Sequence, residues 1–181
     1  MYFETIQQFS KILRSLHSIL AKAQAHADAR KFDSGNYLSA RLAPDMFALA
    51  RQIQSACDGA KFAAARLTGI DAPRHEDNEK NLDELSARIE KTIAFLDTFK
   101  AEHFAGSATR KATFPWMEGK YLQGAEYLVQ MATPNFYFHV TTAYDILRHN
   151  GVDVGKTAAV AELVAKFLMM RDLMGGIGQQ A

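Results

Sequence analysis

Apolar residues between Phe3 and about Ala29 recur as Ile6, Phe9, Leu13, Leu16, Leu20 and Ala23, in alternating steps of three and four. That spacing returns each side chain to one face of a helix and predicts a bundle helix with its seam on a core. The run breaks at Phe32-Asp33-Ser34-Gly35-Asn36, where short polar side chains and glycine favour turns. Tyr37 to Leu42 is expected to make one short turn. A second stripe, Met46, Leu49, Ile53, Cys57, Ala60, Ala64 and Leu67, follows Ala43-Pro44-Asp45 and stops at Gly69. Proline fits the first turn of a helix and aspartate complements the positive end of its dipole, so the second helix is predicted to begin at Ala43 to Asp45. Glycine is the usual C-terminal stop.

A charged linker with Pro73 leads to a third stripe, predicted from about Asn78 or Asn81 to Phe99 through Leu82, Leu85, Ile89, Thr92 and Leu96. Glu84, Arg88, Glu90 and Lys91 are assigned to its other faces. From Gly106 to Gln123 the helical period disappears, and Thr113, Phe114 and Trp116 with Pro115 and Gly119 suggest a loop or small hairpin. The fourth helix reads as Gly124 to Thr133 and Asn135 to His149, with a kink expected at Pro134 because proline lacks a donor and crowds the preceding turn. Beyond Gly155, the positions Val160, Leu163, Val164, Phe167 and Leu168 predict an additional C-terminal helix over about 156–174. The class is therefore all-α, an antiparallel four-helix bundle over about 1–150 with one extra helix, in a single domain spanning 1–181.

Composition narrows the partners. Lys and Arg number 21 against 20 Asp and Glu, and no basic face stands out, so nucleic acid is not an expected partner. No segment approaches the ~18 uninterrupted apolar residues of a membrane span. No basic stretch followed by an apolar run opens the chain, and the single cysteine, Cys57, lies in an apolar stripe, so a cytoplasmic location is expected. A thiol in such a stripe is a poor nucleophile, because burial disfavours its thiolate.

Candidate chemistry gathers on the last bundle helix. At ~100° per residue, Asn135, His139, Thr142, Ala143 and Ile146 share one face, which places an imidazole where the core should be. Such a histidine either satisfies a hydrogen bond across the bundle or serves as a metal ligand or acid/base. Lys61 falls on the stripe of Cys57 and Ala64, and Asp58 lies about a third of a turn aside by the same ~100° step. A carboxylate at Asp58 is a plausible partner to fix the His139 tautomer. His17, His26, His75, His103 and His149 read as surface or helix-end residues. His-Glu-x-x-His, Cys-x-x-Cys, Glu-x-x-His and Gly-x-Ser-x-Gly are all missing from the chain.

Several strings occur together in order: Ala40-Arg41-Leu42-Ala43-Pro44-Asp45-Met46-Phe47, Ala56-Cys57-Asp58, Ala63 to Gly69, Asp77-Asn78-Glu79-Lys80, and Asn135 through Gly151. In this combination the chain resembles a bacterial family of unknown function within the DinB/YfiT-like superfamily, up to about Lys156. The resemblance implies a dimeric four-helix bundle whose better-known relatives hold a divalent metal on three histidines, some of them acting as thiol-dependent transferases or isomerases. The superfamily's His-x-x-x-His falls on Asn135-x-x-x-His139, and its remaining histidine falls near Ser55 to Asp58, where none exists. Three functions follow as expectations. The favoured one is small-molecule binding in a pocket lined by His139, Asn135 and Tyr144, with Arg41 and Asp58 beside it and no cofactor. The second is a divalent-metal-dependent transferase, using zinc or nickel on His139, Asp58 and Asn135. The third is a structural homodimer, and a homodimer is expected in any case from the resemblance and the apolar fifth helix.

Overall fold

The computed structural model describes residues 1–156, so the predicted C-terminal helix, apart from Lys156, lies outside the described residues. Four long helical segments build the bundle: α1 (Tyr2–Arg30), α2 (Leu49–Thr68), α3 (Leu82–Asp97) and a composite last segment. That last segment consists of α4 (Gly124–Glu126), a π-helical stretch Tyr127–Ala132, and α5 (Thr133–His149). α1 packs chiefly on α3, and α2 chiefly on α5 and α3. The stripes named above supply most of the core: Ile6, Phe9, Leu13, Leu16, Ile53, Cys57, Leu67, Leu85, Ile89 and Ile146 are all fully buried or nearly so, and Phe136 of α5 joins them. Phe9 and Phe136 stack at its centre with ring centroids 4.2 Å apart.

Local chemistry explains most helix ends. α3 starts where the Asn81 side chain accepts a hydrogen bond from the Glu84 amide, while the Glu84 carboxylate accepts from the Lys80 amide and the Asn81 side-chain amide. α2 ends at Gly69, whose φ of 81° is in the left-handed region. Its last carbonyls are capped from far along the chain: Ser107 Oγ and Arg110 Nε donate to the Leu67 carbonyl at 2.6 and 3.1 Å. These two bonds tether the short antiparallel hairpin of β1 (Lys111–Thr113) and β2 (Tyr121–Gln123) over the end of α2, with Ala112 opposite Leu122.

Two boundaries differ from the sequence expectation. α2 begins at Leu49, not at Ala43 to Asp45. Ala43 to Met46 closes instead as a turn, the Met46 amide donating to the Ala43 carbonyl, with Pro44 and Asp45 in the middle positions that both residues also favour. The interruption in the last helix is a π-helical stretch before Pro134, and the proline sits in the first turn of α5, where its missing donor matters least.

Candidate functional site

The most polar part of the interior lies between α2, α3 and the linker that joins them. Arg88 points into the bundle from α3 with 3% of its surface exposed, not outward as its charge suggested. Leu85 and Thr92, three and four residues away, carry it on their buried stripe. Its guanidinium reaches Asp58 Oδ1 at 2.8 Å, Asp77 Oδ1 at 2.6 Å and Glu79 Oε1 at 2.9 Å, which ties α3 to α2 and to the linker. Burial works against this charge, but the three carboxylates outweigh it and hold the guanidinium above its usual value. Lys61, 2% exposed, meets the same Asp58 oxygen at 2.9 Å. Arg51 pairs with the other oxygen of Asp77 at 2.6 Å, and Gln54 Nε2 donates to Glu79. Three cations thus share three carboxylates. Cys57, beside this cluster, is fully buried, and desolvation pushes its thiol up to about 12, which leaves it a thiol at neutral pH.

His139 does not pair with Asp58. Its Nδ1 lies 2.7 Å from Gln52 Oε1, and Gln52 Nε2 donates to the Phe47 carbonyl at 3.1 Å. That chain of bonds aims the amide oxygen at the ring, so Nδ1 carries the proton and Nε2 carries the lone pair. No hydrogen bond reaches Nε2 among the described residues. Burial and the nearby Arg51 charge lower the pKa of this histidine, keeping it neutral at pH 7.

One turn before His139, Asn135 opens onto a cleft of about 220 Å³ between α2 and the last helical segment. Arg51, Ser55, Asp58, Gly59 and Phe62 form its α2 wall, Tyr127, Met131, Ala132 and Asn135 the opposite wall, and Phe114 and Trp116 of the hairpin its roof. Gly59 faces the Asn135 amide across this cleft, and a methyl group at that position would lie 3.4 Å from it, in ordinary contact. Of the sequence-derived ligand set, Asn135 and Asp58 share this cleft. Tyr144 lies elsewhere, its hydroxyl donating to the Val154 carbonyl and its ring lining an apolar groove between α1 and α5. Five residues of helix turn it away from His139's face. Arg41 is exposed on the α1–α2 connection, and among the described residues it donates to the carbonyls of Pro44 and Met46. Arg66, which the sequence pattern did not single out, enters the cleft from α2.

A divalent metal on His139, Asp58 and Asn135 does not fit this donor set. The Asp58 oxygen already faces two cations within 2.9 Å, so a further dication there meets repulsion, and His139 and Asp58 are engaged with different partners. Among the described residues no group of three His, Cys, Asp or Glu side chains is placed to hold a metal ion. No described helix is long and apolar enough to cross a membrane.

Residues 1–158 match the domain of unknown function DUF1993. The chain belongs to the DUF1993 family. A DinB family member protein from Shewanella denitrificans, known from a crystal structure, is 49% identical and superposes with a TM-score of 0.84, over 87% of this chain and 90% of that one. No curated protein matches the chain. The DUF1993 fold seen here is thus DinB-like, as the sequence strings implied.

The titrating groups of this DUF1993 protein predict how its stability follows pH. His139 and His75 are both held below the ordinary histidine value, His75 by burial and then by the charges of Lys61 and Arg88. A lowered folded pKa means that the unfolded chain takes up protons first, so stability is full above about pH 6.5 and falls as the pH drops through the folded values. Burial raises the Glu79 carboxyl, but hydrogen bonds from Arg88 and Gln54 more than reverse this, so its net value is low and a second loss follows below about pH 4.3. Urea midpoints measured from pH 7.5 to 3.5 are expected to fall in these two stages, with His139→Gln flattening the first and Glu79→Gln the second. Unchanged slopes in both variants count against these assignments.

Proposed function

We propose that this protein binds a small organic molecule in the cleft between α2 and the π-helical wall of the last segment, one turn from His139. The observation that carries this reading is the lining. A concave site walled by Phe62, Phe114, Trp116 and Tyr127, with Arg51, Ser55, Asp58, Arg66 and Asn135 as polar points, combines apolar area for affinity with polar groups for orientation, as a ligand pocket does. Trp116 supports it further, since its indole is 68% exposed at the rim instead of joining the core.

Trp116 is the only tryptophan in the chain, so its emission reports on this site alone. Screening a library of small organic compounds is expected to find at least one that shifts Trp116 emission saturably. Ser55→Phe, which fills the cleft from the α2 side, is expected to abolish that response without lowering the melting temperature. A screen without hits, or a response that survives the plug, removes support for the cleft as a binding site.

A further inference from the structure

Arg66 is the one cleft cation that no carboxylate holds among the described residues. Arg51 is paired with Asp77, and Arg88 and Lys61 are paired with Asp58. Arg66 has a single hydrogen-bond acceptor, the Tyr127 hydroxyl, 3.1 Å from Nη1. A guanidinium carries five N–H donors in one plane, so most of its capacity is unused. Three rings fix that plane: its central carbon lies 4.6 Å from the Phe114 centroid, 5.1 Å from Phe62 and 5.6 Å from Tyr127. The rings displace water from a half-buried cation while leaving the fork without an anion. The Asp58 carboxylate in the same cleft is already neutralised by Arg88 and Lys61, so it does not cancel the field.

Resting on the proposed cleft, we infer that its ligand is a compact planar organic carboxylate, with the acid group on the Arg66 fork and its ring against Trp116 and Phe62. One free guanidinium matches one carboxylate in a forked pair of hydrogen bonds. A doubly charged phosphate asks for a second free cation that the cleft does not supply. The size of the site agrees, since about 220 Å³ is smaller than the ~300 Å³ at which pockets for drug-sized molecules begin. Exposed Trp116 and Phe62 offer faces on which a flat ring stacks.

Calorimetric titration of the whole protein with 2-naphthoate, 2-naphthamide and 2-naphthylmethylammonium isolates the charge at constant shape. Naphthoate is expected to bind at least tenfold more tightly than either analogue. Arg66→Gln should erase that preference, and Arg66→Lys should retain part of it. An unchanged melting temperature and helical circular dichroism show that each variant is folded. Equal or tighter binding of the amide or the ammonium overturns the anionic assignment and leaves the cleft standing. If no naphthyl probe binds although the Trp116 screen gives a hit that Ser55→Phe abolishes, the inference alone falls. If neither experiment finds binding, both fall.

Discussion

Replacing Arg88 with leucine is expected to destabilise the bundle by roughly 3–5 kcal/mol, the range for removing one partner of a buried charge network. The size follows from what is left behind. Asp58, Asp77 and Glu79 lose a shared partner, and although Lys61 and Arg51 still reach Asp58 and Asp77, Glu79 keeps only neutral donors, the Gln54 side chain and a backbone amide. Leucine is shorter than arginine, so it leaves the guanidinium's space unfilled and answers none of these charges. Denaturant unfolding of Arg88→Leu and of the Arg88→Leu/Glu79→Gln pair measures this directly. The second change is expected to return part of the loss, because it removes the most isolated carboxylate. A loss below about 1 kcal/mol, the level of exposed ion pairs, would show that the network contributes no more than surface charge.

Gly124→Ala is expected to be almost as damaging, near 3 kcal/mol, at the upper end for overpacking. A methyl group there would lie 1.9 Å from the Ser107 carbonyl oxygen and 3.1 Å from a Leu67 methyl. Ser107 cannot retreat without giving up its bond to the Leu67 carbonyl, and Gly124 is itself held by donating to the Arg110 carbonyl at 2.8 Å. One added carbon therefore separates the hairpin, the end of α2 and the start of the last helical segment together. Thermal melting reads the loss. Because the hairpin roofs the cleft, ligand response at Trp116 is expected to weaken in the same variant.

The bundle was legible because burial imposes a period. Ile6, Phe9, Leu13 and Leu16, or Leu85, Ile89 and Leu96, leave no other way to hide their side chains. The start of α2 was not legible, since Pro-Asp serves a turn as well as a helix N-terminus and only the bond from Met46 to Ala43 decides between them. Lys61 was readable on its apolar stripe and His139 on the buried face of α5, whereas Asn135, expected on that same face, is exposed. Arg88 was missed by weighting its charge over its position between Leu85 and Thr92, a stripe that already pointed inward. Partners were the least readable part. Whether Asp58 meets His139 or Arg88 depends on how the α2–α3 linker crosses the bundle, and no local pattern encodes that path.

The π-helical stretch before α5 acts on the cleft through rotation. In a regular α-helix, at about 100° per residue, the eight steps from Tyr127 would leave Asn135 about 80° round from it. The wider turn of Tyr127–Ala132 advances less per residue, and Tyr127, Met131 and Asn135 line up on one wall. A single surplus residue thus sets the angular phase between the end of the helix that holds Arg66 through Tyr127 and the end that carries Asn135 and His139.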